Sequence, residues 1–233
     1  DAKFVAASST SAAGEDVSEV LPSFKGLTSV KFDQFDAAEM AKKCDVVFMG
    51  VPGTQSMDSG AALRAAGARV IDMGPDFRLL NLDDFKTYYK ADHSQAELLN
   101  ERVYGMVALY REELKSAKLV AVPGCYPLGA IDPLKPLVSA ITTDIPVIVD
   151  SISGISGAGK SLNQVFHFPE MNENVRAYKI GVHQHTPEME QELDHKVQIQ
   201  FSPHVGPFTR GILSTITIRP NEVVDLDAVY QVY

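Results

Sequence analysis

Positive charge is in short supply in this chain. Its 21 Lys and Arg stand against 30 Asp and Glu, a formal net charge of -9 at pH 7. A protein that holds nucleic acid regardless of sequence needs surplus Lys and Arg to neutralise phosphates, so that class is excluded, while a local basic pocket for a small anion is still allowed. Cysteine is nearly absent. Cys44 and Cys125 are the only two in 233 residues, which excludes a disulfide scaffold and a Cys-rich zinc site and suits a reducing compartment. No apolar run approaches the ~18 residues of a membrane-crossing helix, and no basic-then-apolar signal segment opens the sequence. Neither internal repeats nor low-complexity stretches occur. The G-x-G-x-x-G turn that opens a dinucleotide-binding fold is also missing. Because the sequence starts within a strand pattern and stops within a helix pattern at Asp227–Tyr233, we expect a fragment that enters such a fold at its second strand. The alternative is a domain that binds no dinucleotide. What is left is an ordinary globular composition, 45% hydrophobic and 22% charged, with length for one large or two modest domains.

The first half alternates strand and helix signals. Apolar, β-branched runs occur at Phe4–Ala7, Ser29–Phe32, Val46–Met49, Arg69–Asp72 and Leu119–Val122. Helical patterns lie between several of them, at Ala37–Lys43, Ser56–Ala66 and Tyr110–Ala117. This alternation predicts a parallel sheet with helices on its faces. Small or polar residues end the strands (Ser8-Ser9-Thr10, Pro52-Gly53-Thr54, Gly74-Pro75), at the edge where open α/β sheets bind ligands. After residue 122 the pattern changes to strands at Ile145–Val149, Lys196–Phe201 and Gly211–Arg219, the last two with period-2 alternation. The fold class is therefore α/β: an incomplete Rossmann-type parallel sheet over residues 1–122, then an α+β domain with a largely antiparallel sheet over 123–233.

Four stretches carry chemistry. Pro123-Gly124-Cys125-Tyr126-Pro127 joins an apolar strand to an apolar helical pattern (Leu128, Ile131, Leu134, Val138). This places a lone thiol at the positive end of a helix. An ordinary thiol is only ~3% thiolate at neutral pH, and a helix N-terminus raises that fraction; a buried structural cysteine is the competing reading. Gly154-Ile-Ser-Gly-Ala-Gly159-Lys160-Ser161 matches the P-loop pattern after the strand Val147–Val149. Pro169 comes too soon for the helix a P-loop needs, and no acidic strand end follows to hold magnesium, so a loop for some other phosphate or carboxylate is favoured. His183-Gln-His185-Thr-Pro-Glu188 puts two histidines before a helix expected to be capped by Thr186, where imidazolium is disfavoured and a neutral base is plausible. A metal site would need a third ligand, and His195 lies about two turns further on. Arg78 and Arg210 are candidates for binding a carboxylate or phosphate, with surface ion pairing as the plainer reading.

In their shared order these residues resemble one family, the N-acetyl-gamma-glutamyl-phosphate reductases of arginine biosynthesis, relatives of aspartate-semialdehyde dehydrogenase. The resemblance runs along nearly the whole chain. It is carried by Val70-Ile-Asp72 with Asp76-Phe-Arg78-Leu79, Val103-Tyr-Gly105 with Leu109–Glu113, Pro123–Pro127, Ser153–Gly159, Asn172-Glu-Asn174 with Ala177-Tyr178, His183–Leu193, and Phe201–His204 with Thr209–Leu213.

By this resemblance Cys125 would attack a γ-acyl phosphate to form a thioester, NADP would be the cofactor, and His183 would be the acid/base partner, with His185 nearby. Arg78, Ser156, Gly157, Tyr178, Glu188 and Arg210 would bind the small-molecule acyl-phosphate substrate, Ser156 and Gly157 as hydrogen-bond donors. Ser8, Ser9, Thr10, Pro52 and Gly74 would line the cofactor, and the lack of an acid at Ala7–Thr10 suits a 2′-phosphate. The resemblance implies no metal, nucleic-acid or membrane partner, a homodimer or homotetramer, and a cytoplasmic location, or a plastid or mitochondrion in a eukaryote. The chain departs from the family pattern at Leu128, where Thr is usual, at Gly74-Pro75 for Ser-Ala, and at Pro52-Gly53-Thr54 for Pro-His-Gly. The competing functions are the paralogous reductase of a carrier-linked aminoadipyl phosphate in lysine biosynthesis, a P-loop NTPase, and a binding module without catalysis.

Overall fold

The structure, a computed structural model, describes residues 2–159, 161–223 and 225–233. They form two compact units. The first runs to Leu80 and resumes over Asp92–Val122; the second takes in Asn81–Ala91 and Pro123–Tyr233.

In the first unit β1 (Ala7–Ser8) and β2 (Phe32–Asp33) pair in parallel. β3 (Val46–Met49), β4 (Arg69–Asp72), β5 (Arg102–Tyr104) and β6 (Leu119–Ala121) form an all-parallel sheet in the order β3-β4-β6-β5. Parallel neighbours cannot be joined by a tight turn, so helices Ala37–Lys43, Ser56–Ala65 and Val107–Ser116 fall between strands. The first of these helices shows how local chemistry sets an end: the Asp36 carboxylate accepts the Glu39 N–H, and Lys42 and Lys43 occupy the last turn, where the helix is negative. Val47, Met49, Val70, Leu119 and Ala121 of the sheet pack with Leu63, Phe77 and Leu99 into one core. Each large side chain buried there contributes about 1.5–3 kcal/mol of transfer free energy. Burial alternates along β3, with Phe48 68% exposed on its outer face. Strand β5 was not among the expected strands. Its three residues are too few to show a period and are ordered as strand by pairing with β6, Val103 opposite Val120.

In the second unit β7 (Val147–Ser153), β8 (Arg176–Ala177), β9 (Ile199–Val205) and β10 (Ile212–Thr217) run in the order β10-β7-β9-β8. The β10–β7 and β8–β9 pairings are antiparallel, as expected of most of this sheet. The central β7–β9 pairing is parallel, from Val147 opposite Ile199 to Ser153 opposite Val205. The sheet is therefore mixed, and the reason is the long crossover between β7 and β9, which carries helix His185–Glu192. Val147, Val149, Ser151 and Ser153 of β7 and Ile199, Phe201 and Val205 of β9 face the interior, while Asp150 and Gln200 are exposed. Helices Cys125–Leu134 and His185–Glu192 pack on each other and against β10 and β9. Helix His185–Glu192 starts at His185 with Gln184 as its cap, two residues ahead of the expected Thr186 cap. Thr186 and Pro187 sit in its first turn, where the missing N–H of proline costs nothing. Among the described residues no helix is long and apolar enough to cross a membrane.

Candidate active site

Cys125 is the first residue of helix Cys125–Leu134 and is exposed, with Gly124 as the cap. Cys44, by contrast, is half-buried and packs against the core of the first unit. The backbone of Gly124 (φ -62°, ψ 153°) is open to any residue, so glycine is not required there for its conformation. Space requires it: a methyl group at this position would lie 2.6 Å from His185 Nε2 and 2.9 Å from two ring carbons. The His185 imidazole thus lies flush against the residue preceding the thiol. The Gly124 N–H donates to Glu188 Oε1 at 2.8 Å, and Glu188 is wholly buried. Leu128, in the first turn after the thiol, is exposed.

His183 sits deeper. It is 3% exposed and ringed by Tyr126, Tyr178 and Phe201 at centroid distances of 5.6, 5.5 and 5.2 Å, with the His185 ring at 4.6 Å. Its Nδ1 accepts the backbone N–H of His185 at 3.1 Å, which leaves the ring proton on Nε2. Burial first, and the nearby Lys179 charge second, push its pKa down to about 4. It is neutral at any ordinary pH. Tyr178 donates its hydroxyl to that of Tyr126 at 2.9 Å, and Tyr126 donates to the His204 carbonyl at 3.1 Å. Burial is the main cause raising both phenols above their usual range, so both stay protonated. This chain of hydroxyls ties the residue after the thiol to β9.

Two further loops meet in the same unit. The Gly154 backbone runs against Thr209 and Arg210 so closely that a Cβ would fall 2.8 Å from their backbone atoms. The N–H groups of Ile155, Ser156 and Gly157 donate to Phe208, Thr209 and Gly154 carbonyls. The expectation that Ser156 and Gly157 offer free donors is therefore corrected for their amides, which are spent within the fold. The exposed Ser156 hydroxyl and the exposed Arg210 guanidinium are still on offer, and neither has a side-chain partner among the described residues. Only a short 3-10 turn, Ile155–Ala158, follows β7, which is not the strand-to-helix turn of a P-loop. Lys160 of that motif lies outside the described residues. Glu188, expected to touch substrate, is completely buried and accepts the Gly124 N–H.

The remaining candidates belong to the first unit. Ser8, Ser9 and Thr10 end β1 without a carboxylate, and the Ser9 hydroxyl accepts the Ala12 N–H at 3.2 Å. Pro52 lies after β3, and Gly74 and Arg78 after β4. These two loops are interlocked by a buried acid. Asp76 accepts the Thr54 N–H at 2.7 Å on one oxygen, and the Ser56 N–H and hydroxyl at 2.9 and 2.8 Å on the other. Thr54 is held at φ 68° by this bond, in a region that favours glycine. Asp72 accepts the Gly74 N–H at 3.0 Å and shares the Ser56 hydroxyl at 3.2 Å. Burial above all pushes its carboxyl up to about 6. Arg78 is mostly buried and donates to the Met73 carbonyl at 3.1 Å. The two acids carried no signal for the site in the sequence beyond their place in the family motif; only their shared serine reveals the clamp.

The fold and the thiol turn define a class. Residues 2–117 match the family description "Semialdehyde dehydrogenase, NAD binding domain", and residues 125–233 match "Semialdehyde dehydrogenase, dimerisation domain". Among solved structures, aspartate semialdehyde dehydrogenase with NADP from Candida albicans is similar over 99% of this chain and 68% of that one, with a TM-score of 0.65 and 15% identity. A probable aspartate-semialdehyde dehydrogenase from Pseudomonas aeruginosa gives 0.65 at 18% identity, over 98% and 69%. At such identities the likeness is one of fold. Sequence relatives are nearer: the N-acetyl-gamma-glutamyl-phosphate reductase of Desulforudis audaxviator is 38% identical over 99% of this chain and 68% of its own length. That of Rhodopirellula baltica is 41% identical over 94% and 65%. The chain belongs to the N-acetyl-gamma-glutamyl-phosphate reductase family and spans about two thirds of the length of these relatives.

Proposed function

We propose that the protein reduces N-acetyl-gamma-glutamyl phosphate to its semialdehyde with NADPH, through a thioester on Cys125, in arginine biosynthesis. The observation that carries this reading is the exposed Cys125 at a helix start, with a histidine ring against the preceding residue and a second, neutral histidine behind it. In the first half, Cys125 Sγ attacks the acyl carbon, the bond from that carbon to the phosphate oxygen breaks, and inorganic phosphate leaves. NADPH, when bound, supplies the hydride that brings the acyl group to the aldehyde level. We assign proton transfer to His185, whose ring lies beside the thiol turn; it takes the thiol proton and returns it to sulfur as the carbon–sulfur bond breaks. His183 accepts the backbone N–H of His185 on its Nδ1 and so holds the start of the helix that carries His185. Arg210, the Ser156 hydroxyl and Tyr178 are the groups of this unit proposed to hold the substrate's anionic and polar ends. Arg78 is a further proposed substrate ligand.

The cofactor fits the residues of the first unit. Ser8, Ser9 and Thr10 put no carboxylate where a 2′-phosphate would be repelled. Gly74 sits against the Asp72 carboxylate, where a Cβ would lie 3.1 Å from it, and Pro52 lies on the loop that Asp76 fixes through Thr54; both are proposed to line the cofactor. Self-association as a homodimer or homotetramer, and a location in the cytoplasm or a biosynthetic organelle, belong to the same proposal.

The experiment is the reverse reaction in the native full-length protein, followed by NADPH absorbance. N-acetylglutamate semialdehyde, NADP⁺ and phosphate should together yield NADPH, with arsenate able to replace phosphate. Cys125→Ser should be nearly inactive, because an alcohol is a far weaker nucleophile at neutral pH. NADPH formation that ignores phosphate and survives this substitution would sink the mechanism.

A further inference from the structure

Tyr178 stands at one end of a chain of hydroxyls whose direction is fixed at the other. Tyr126 is 2% exposed, and its hydroxyl lies 3.1 Å from the His204 carbonyl, which has no hydrogen to give. Tyr126 is therefore the donor of that contact, and a phenol has one hydrogen. The 2.9 Å contact between the two phenols must then be donated by Tyr178. The Ser153 hydroxyl, which donates to the Gly154 carbonyl at 3.0 Å and also interacts with Tyr126, does not alter this count. Ionisation does not alter it either, because burial above all holds both phenols above their usual range. What half-buried Tyr178 has left to offer is the lone pairs of its oxygen. Both phenols interact electrostatically with Cys125, and the Tyr178 ring stands edge-on to His183 at 5.5 Å, so this acceptor lies among the groups assigned to the chemistry.

The proposed substrate has the opposite balance at neutral pH. Its carboxylate, its acyl phosphate and its acetyl carbonyl all accept hydrogen bonds, and the acetamido N–H is its one strong donor. We propose that Tyr178 is a specificity-determining residue that accepts the N–H of an N-acylated amino acid, held in that acceptor role by Tyr126 and the His204 carbonyl. An ester in place of the amide would set oxygen against oxygen, and a site built around a hydrogen bond rejects the analogue that cannot make it. That the ligand is this amide rests on the proposed function; that Tyr178 has no hydrogen to give does not. The same count removes Tyr178 from the groups able to supply a proton to the reaction.

The test uses two stable carboxylates that differ only at this group. N-acetyl-L-glutamate and its ester counterpart 2-acetoxyglutarate, with oxygen in place of N–H, are titrated calorimetrically into the native full-length protein and its Tyr178→Phe and Tyr126→Phe variants. Wild type should bind the amide about tenfold or more tighter than the ester. Tyr178→Phe should bring the two within about twofold by weakening the amide. Tyr126→Phe frees the Tyr178 hydrogen and should narrow the gap from the other side, by strengthening the ester. Equal affinities in wild type, a preference that survives Tyr178→Phe, or no binding of the amide at all would overturn the role. A preference unchanged in Tyr126→Phe overturns the fixed direction. The reverse reaction, run alongside, separates this role from the reductase reading. Turnover of the semialdehyde with a preference that ignores Tyr178 removes the role and leaves the reductase standing; a preference that depends on Tyr178 without any turnover does the reverse. Should Tyr126→Phe not fold, wild type and Tyr178→Phe carry the decision.

Discussion

His183 is enclosed by Tyr126, Tyr178 and Phe201, while His185 presses on Gly124 beside the thiol. Two residues of the same type, two positions apart, therefore have different surroundings. The enclosed ring accepts the His185 backbone N–H and cannot easily take a proton; His185 is the one proposed to carry it. His185→Ala should lower kcat by about 10²–10⁴-fold, the range of a lost acid or base. His183→Phe keeps a ring in the cluster but leaves a buried N–H without its acceptor. It should cost about 1–3 kcal/mol of stability in urea unfolding, with a smaller fall in kcat than His185→Ala. The reverse order of kcat effects would return the proton-transfer role to His183.

At the level of elements, the carboxyl edge of the parallel sheet is built from two loops that fit only each other. A methyl group on Gly53 would lie 3.0 Å from the Pro75 ring, and Asp76 reaches across to the Thr54 amide and the start of helix Ser56–Ala65. Gly53 and Pro75 are also two of the positions where this chain departs from the family pattern. Their proximity predicts that the two departures are coupled, the Pro75 ring being accommodated by the smallest residue opposite. Gly53→Ala should cost about 1–2 kcal/mol beside Pro75, and clearly less in a Pro75→Ala background. A double-mutant cycle in chemical denaturation should return a coupling above about 0.5 kcal/mol. Additive effects would show the two loops to be independent.

For the molecule as a whole, the two units carry buried groups that respond to acid in opposite senses. Asp72 in the first unit keeps its proton until about pH 6, while an unfolded aspartate loses it near 3.8. Folding therefore binds a proton in that window, and the first unit loses stability as pH rises from about 4 to 6. His183 in the second unit stays neutral down to about pH 4, while an unfolded histidine protonates below 6.5. The second unit thus loses stability as pH falls from 6.5 to 4. Each shift corresponds to roughly 3 kcal/mol, at about 1.4 kcal/mol per pH unit. Hydrogen exchange corrected for intrinsic rates should show, at pH 4.5 relative to 6.5, more protection in β3, β4 and β6 and less in β7 and β9. Asp72→Asn should flatten the first trend and His183→Phe the second. Parallel responses of both units, unaltered by these substitutions, would refute the assignment.

Strand and helix alternation, the lone thiol before a helix and the paired histidines were legible in the sequence, because each is a short-range pattern: period 2, period 3.6, or a turn residue at a fixed offset. Strands β3 and β4 have the bounds their apolar runs announced, and helix Ala37–Lys43 has those set by Asp36 and the closing lysines. Other features depended on residues distant in the chain. The parallel centre of the second sheet follows from a crossover that no strand pattern reports, and β5 is a strand because β6 lies beside it. The amides of the glycine loop at 154–157 looked available and are bound, because carbonyls of residues 208 and 209 reach two of them. Glu188 read as a substrate ligand and is buried with its carboxylate on the Gly124 amide; Asp72 and Asp76 read as parts of a motif and share one serine. Sequence determined which chemical groups the protein owns and the local geometry that presents them. Tertiary structure alone decided which of those groups are spent on one another and which face outward, since burial and hydrogen bonding are settled between segments tens of residues apart.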